Sequence, residues 1–188
     1  MPIVSADQWW LQWPRRAGAF RRGPSDKKLA GDDAPVVIIG LGPTGRAVGD
    51  ALCYNEIGYL SVEPDPLRFE TALADGNHVH HANPADPRSG DALGMGKREV
   101  VAVAAGNISI SRDLSPLVQE RLPNIARVIA LSGAEALEEF IDLGMVPVDV
   151  KAPHGTERVI EMVFQSLERE RKLPVSSLSE EDRALEYA

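Results

Sequence analysis

The stretch Val36-Val37-Ile38-Ile39-Gly40-Leu41-Gly42-Pro43-Thr44-Gly45-Arg46-Ala47-Val48 changes its periodicity at the glycines. Before them, four β-branched residues run without interruption, as in a strand buried on both faces. After them, Ala47, Val48, Ala51 and Leu52 recur at helical spacing, which gives the following helix an apolar stripe to lay on a sheet. Pro43 suits the first turn of that helix. A Gly-x-Gly-x-x-Gly between strand and helix is weak as a motif alone, but this context gives each glycine a task. Gly40 makes the tight turn, Gly42 lets a pyrophosphate approach the backbone, and Gly45 lets the helix pack closely. The helix start then offers unpaired amides and a positive dipole end to phosphate, with no basic side chain required.

Working outward, short β-branched runs alternate with amphipathic stretches, the pattern of βαβ units and a parallel sheet. The expected strands are Val36 to Gly40, Tyr59 to Val62, His78 to His81, Val100 to Ala104, Arg127 to Leu131 and Val146 to Val150. Pro147 belongs at a sheet edge, which makes the last of these a terminal strand. Helices are expected after Pro43, Pro66, Asp86 with Pro87, Ser115 with Pro116, and Gly133 before Ala134. A last helix, Gly155 to about Arg171, carries Val159, Ile160, Met162, Val163 and Leu167 and needs a partner surface. The expected fold is α/β, a Rossmann-like doubly wound parallel six-stranded sheet with helices on both faces. Glu63, eighteen residues past Gly45, ends the second strand, where such folds place the carboxylate that takes the ribose hydroxyls. A carboxylate there repels a 2'-phosphate, although Arg68 lies close in sequence.

The 188 residues suffice for one core plus tails. The expected division is an arm or linker over 1–34, the nucleotide-binding domain over 35–171, and a polar tail over 172–188. A net charge of −8 argues against a nucleic-acid surface. The charge is uneven: six basic and four acidic side chains in residues 1–34 leave −10 for the remainder. That arm interleaves Trp9, Trp10, Trp13 and Phe20 with two Arg-Arg pairs. Such a mixture suits either packing on the domain or a partner subunit, or membrane-surface contact through residues 9–22. No run of about 18 apolar residues is present to span a bilayer, and the chain reads as cytoplasmic. The single cysteine, Cys53, falls in the first amphipathic helix and reads as a small buried hydrophobe.

His78, His80 and His81 surround the third strand, but no Cys or acidic residue sits beside them at ligand spacing. They read as surface or strand-end histidines, with His81 placed to line the cleft, and no metal site is assigned. His154 can be read as a general acid or base. Nicotinamide chemistry, however, also needs a positioned second reactant, and few residues remain to build a substrate domain. No catalytic residue is assigned.

Val37-Ile38-Ile39-Gly40-Leu41-Gly42-Pro43-Thr44-Gly45-Arg46-Ala47-Val48 and Val62-Glu63-Pro64-Asp65-Pro66 resemble the TrkA-N, or regulator of potassium conductance (RCK), domain. The likeness covers residues 36 to about 170 and continues through Asn83-Pro84-Ala85-Asp86-Pro87. It is strongest to the cytosolic domains of Kef-type potassium/proton antiporters. The resemblance implies a dimeric regulatory module without catalysis that binds NAD(H) or AMP or another adenine nucleotide. It also implies coupling to a membrane-embedded cation transporter at the inner face of the membrane, with the final helix helping to pair two subunits. By position, Gly40, Gly42, Pro43, Thr44 and Gly45 take the phosphates, Glu63 the ribose, and Asn83 with Pro84 the adenine neighbourhood, and Pro64 beside Glu63 is counted with the cofactor-binding residues. The sequence departs from the family pattern at Asn83, at Gly106-Asn107 and at Leu131, where an arginine is frequent. If that arginine holds phosphate, its replacement removes a charge-assisted contact of roughly 1.5–3 kcal/mol.

The leading expectation is therefore a cytosolic nucleotide-sensing domain that gates a potassium or cation/proton transporter as a homodimer. The alternatives are a small NAD-dependent oxidoreductase and a degenerate Rossmann domain acting only in dimerisation or docking.

Overall fold

The computed structural model describes residues 34–171 apart from 78, 85, 106–108, 111, 115, 117–124, 132–136 and 143. The arm before Ala34, the tail after Arg171, His78, Gly106-Asn107, and the helix starts expected at Ser115 and Gly133 lie outside the described residues. So does the Leu131 side chain.

Six strands, β1 (Val36–Ile39), β2 (Tyr59–Glu63), β3 (Val79–His81), β4 (Val100–Val103), β5 (Ala126–Leu131) and β6 (Val146–Asp149), form one sheet in the order β3-β2-β1-β4-β5-β6. Every pairing is parallel. The described helices are α1 (Pro43–Tyr54), α2 (Pro66–Ala74), α3 (Pro87–Ala92), α4 (Leu137–Asp142) and α5 (Gly155–Arg171), with a 3-10 turn at Met95–Lys97. This is the doubly wound order of the Rossmann fold, and its topological switch falls between β1 and β4.

The apolar runs explain the layers. Val36 and Ile38 face one side with Val100, Ala102, Val128, Ala130 and Val148, and are covered by Val48, Ala51 and Leu52 of α1 and by α5. Helix α5 contributes Val159, Ile160, Val163, Phe164 and Leu167, so its apolar stripe is buried against its own sheet. Val37, Ile39, Leu60, Val62, Val101, Val103 and Ile129 face the other side, beneath Met95, Leu114, Phe140 and Met145. Burying β1 and β4 on both faces makes the sheet centre rigid, and the loop after β1 is held by that centre.

Boundaries differ from expectation for local reasons. Gly40 leaves β1 because its φ of +93° is left-handed. Strand β2 ends on Glu63, as its place after Val62 implied, and Glu63 pairs with His81 of β3. The second half of the sheet ends on β6, where Pro147 occupies the edge as expected. Cys53 is only half-buried, on the flank of α1 and not within its stripe. No described helix is long and apolar enough to cross a membrane.

Arg98 anchors the entering chain. Its guanidinium is buried and donates to the carbonyls of Ala34 and Leu93, at 2.7 Å each. The periodicity of the sequence gave no sign of it.

Candidate functional site

The three helices opened by proline differ at their caps. Asp65 caps α2, its Oδ1 accepting from the Arg68 amide at 3.0 Å, and Asp86 caps α3, accepting from the Arg88 amide at 3.1 Å. Helix α1 starts after Gly42 with no side-chain cap. Its first intrahelical bond runs from the Arg46 amide to the Gly42 carbonyl at 3.0 Å. The preceding amides have no partner within the helix, and they carry its positive dipole end.

Each glycine of the loop has its own physical reason. At Gly40, left-handed and pressed on the segment that follows β4, an added Cβ would lie 2.8 Å from the Ala105 backbone. The Gly40 amide donates to the Val62 carbonyl at 2.7 Å, tying the turn to β2. At Gly45 a Cβ would overlap the Gly40 carbonyl, so helix and strand pack as closely as expected only with hydrogen there. Gly42 is different. Its φ of −66° and ψ of −175° are extended backbone that any residue adopts, and among the described residues nothing lies within 4 Å of a Cβ built on it. The fold does not demand glycine at this position, whereas a ligand drawn close to the backbone does.

Glu63 is 2 % exposed and stands beside this space. Its Oε2 accepts from the Leu41 amide at 2.7 Å and its Oε1 from the Asp65 amide at 3.0 Å. The carboxylate thus holds the loop, and a carboxylate retains further lone-pair sites for donors such as ribose hydroxyls. Pro64 follows, half-buried, its carbonyl 3.3 Å from Nε2 of His81. The exposed His81 ring lies 5.2 Å from that of Phe69. Pro43 is exposed at the mouth of the loop. Thr44, half-buried, sits with its hydroxyl 3.5 Å from that of Thr156 in the first turn of α5.

The structure therefore brings Gly40, Gly42, Pro43, Thr44, Gly45, Glu63 and Pro64 together at the switch point. Asn83 and Pro84 follow the end of β3, Pro84 buried and Asn83 exposed with its carbonyl taken by the Asp86 amide at 3.1 Å. Among the described residues, no three of His, Cys, Asp and Glu gather as a metal-ligand group. His154 lies exposed at the β6–α5 turn, its Nδ1 3.8 Å from Glu157 Oε1.

Three neighbours of the loop, Arg46, Asp75 and Thr156, are not evident from the sequence. Arg46 donates from Nε to the Leu41 carbonyl at 3.0 Å and from Nη1 to Asp75 at 2.9 Å. A first-turn helical side chain points back toward the N-terminus, so the position of Arg46 directly after the third glycine was the available signal. Asp75 and Thr156 are distant in sequence and carried none.

The family model of the TrkA-N domain matches residues 36–147. Among solved structures, the NAD(P)-binding domain of an exopolyphosphatase-related protein from Archaeoglobus fulgidus is similar at TM-score 0.56 and 16% identity, covering 74% of this chain and 98% of that one. The TrkA-N domain of inner membrane protein ybaL from Escherichia coli gives 0.56 and 14%, covering 71% and 96%. The GsuK RCK domain gives 0.57 and 16%, covering 76% of this chain and 30% of that one. At these identities the likeness is one of fold. No curated protein matches the sequence.

Proposed function

The chain belongs to the TrkA-N domain family, and from that premise we propose that residues 35–171 form a nucleotide-sensing regulatory domain of a potassium or cation/proton transport system. The observation that carries this reading is the uncapped start of α1 at Gly42, with open space before it and the buried Glu63 carboxylate beside it. Two of the three comparison structures support it by what they are: a domain described as NAD(P)-binding and a domain of an inner membrane protein.

In this reading the amides of Thr44 and Gly45 receive phosphate oxygens, and the Thr44 hydroxyl adds a donor at the same end. Glu63 accepts from the ribose hydroxyls, with Pro64 next to it, and Asn83 and Pro84 lie toward the adenine. A buried carboxylate disfavours a 2'-phosphate, so NAD(H) or AMP is favoured over the 2'-phosphorylated dinucleotides. When bound, the nucleotide supplies a signal and no bond is broken. Its differential affinity for two arrangements of a homodimer shifts their populations, and a membrane-embedded cation transporter at the inner face of the membrane reads the shift.

The test is a thermal-shift series of the full chain with NAD, NADH, NADPH, AMP, ADP and ATP. A ligand at 100 times its dissociation constant raises stability by about 2.7 kcal/mol. NADH, NAD or AMP should shift the melt more than NADPH does. A series with no shift contradicts the sensing role. Dinucleotide-dependent turnover lost in His154→Ala would transfer the site to an oxidoreductase.

A further inference from the structure

Leu41 is held from both sides. Its amide donates to buried Glu63 at 2.7 Å, and its carbonyl accepts from Arg46 Nε at 3.0 Å. Arg46 is itself held by Asp75 Oδ2 at 2.9 Å, where Asp75 ends α2. The other end of α2 returns to the same carboxylate, because the amide of its cap, Asp65, donates to Glu63 Oε1. The contacts form a closed circuit: Glu63, Leu41, Arg46, Asp75, helix α2, Asp65 and Glu63 again.

The Arg46–Asp75 pair is substantially exposed on both sides, 41% and 46%. Exposed pairs contribute little to global stability, so fold stability does not account for a guanidinium spanning two elements. Its first contact does. The carbonyl it holds belongs to the peptide whose nitrogen is that of Gly42, the residue with open space before it. Rotation of this peptide would reorient the Gly42 amide and shift the helix start that follows it. A guanidinium offers several donors in one plane, so Arg46 fixes the carbonyl while anchored elsewhere, a double contact that a point charge does not reproduce.

We infer that Arg46 is a positioning residue for nucleotide phosphates, acting through the Leu41 carbonyl with Asp75 as its anchor. The inference rests on the nucleotide reading of the site for its ligand, but the clamp itself is testable without one. The experiment uses the full chain as wild type, Arg46→Met, Arg46→Lys, Asp75→Asn and the Arg46→Met/Asp75→Asn double variant. Amide hydrogen exchange is measured without ligand, and binding of NADH and AMP is measured by calorimetry.

Arg46→Met should melt close to wild type, exchange faster at Leu41, Gly42, Thr44 and Gly45, and bind about tenfold more weakly, the loss of one ordering hydrogen bond. Arg46→Lys should recover part of the affinity. Asp75→Asn should weaken binding by about threefold in the wild-type background and not at all beside Arg46→Met, as expected for residues acting as one unit. Unchanged loop exchange in Arg46→Met overturns the inference, as does an Asp75→Asn effect of equal size in both backgrounds. Because exchange is read in ligand-free protein, it decides for or against the clamp even if wild type binds neither nucleotide, the result that defeats the nucleotide reading instead.

Discussion

Two strand-to-helix turns meet at the C-terminal edge of the sheet, β1 into α1 and β6 into α5, and they use glycine for different ends. Both helices lie on the same face, and their first turns touch through Thr44 and Thr156. At the second turn the glycine is there for packing: a Cβ on Gly155 would lie 2.5 Å from the Asp149 carbonyl oxygen and from Val150 Cα. Gly40 and Gly45 of the first turn are confined in the same way. Gly42 has no such neighbour among the described residues, and no glycine of the β6–α5 turn corresponds to it. Glycine that lets backbone meet backbone and glycine that leaves room for something else are told apart by what surrounds them, although the sequence spells both with the same letter.

The largest effects should come from the confined glycines. Gly45→Val and Gly155→Val force side-chain atoms into backbone, and each should lose about 3 kcal/mol or more in chemical denaturation, at or beyond the usual range for overpacking. A variant that unfolds at the wild-type midpoint would mean that the turn is looser than described. Next is Glu63→Gln, which keeps shape but removes charge and points an amide at one of two backbone donors. Charge-assisted hydrogen bonds of this kind contribute roughly 1.5–3 kcal/mol. The variant should lose about 2 kcal/mol of stability and, on the proposed reading, its preference for NADH over NADPH. Retention of both would separate Glu63 from the loop. The smallest effect belongs to the other turn: His154 has a φ of +60°, a conformation that disfavours side chains by roughly 1–2 kcal/mol. His154→Gly relieves this while loosening the unfolded chain, so a net gain of about 0.5 kcal/mol is expected. A clear loss would show that the imidazole beside Glu157 contributes more than the strain it carries.

How much of this was legible follows from the range of each interaction. The β-branched runs of β1 and β4, the prolines that open α1, α2 and α3, and the three glycines are local signals, and the structure has these elements where the sequence put them. The position of Glu63 beside the loop was legible from its count of eighteen residues past Gly45 at the end of the second strand. That it already holds the Leu41 amide was not, since a hydrogen bond across 22 positions leaves no periodic trace. The same holds for Arg46 with Asp75, 29 positions apart, and for Arg98 with Ala34, 64 apart. The stripe of α5 was read without Phe164, which is buried, and its partner surface proved to be the sheet of its own chain. Cys53 was assigned to the interior from the helix alone, yet the register of α1 on the sheet leaves it on the flank. Val150 was expected in β6 but lies in the turn that leads to Gly155.

On the proposed reading the space before Gly42 is kept for a nucleotide. It is tested most directly by titrating NADH or AMP, whichever shifts the melt more, into wild type and Gly42→Val by calorimetry, with melting recorded for both. Valine fits the φ and ψ of Gly42 and meets no atom of the described residues near its Cβ. The account therefore predicts equal melting temperatures with binding weakened by about a hundredfold or more, roughly 2.8 kcal/mol of lost contact. Undiminished binding by Gly42→Val at an unchanged melting temperature would contradict it.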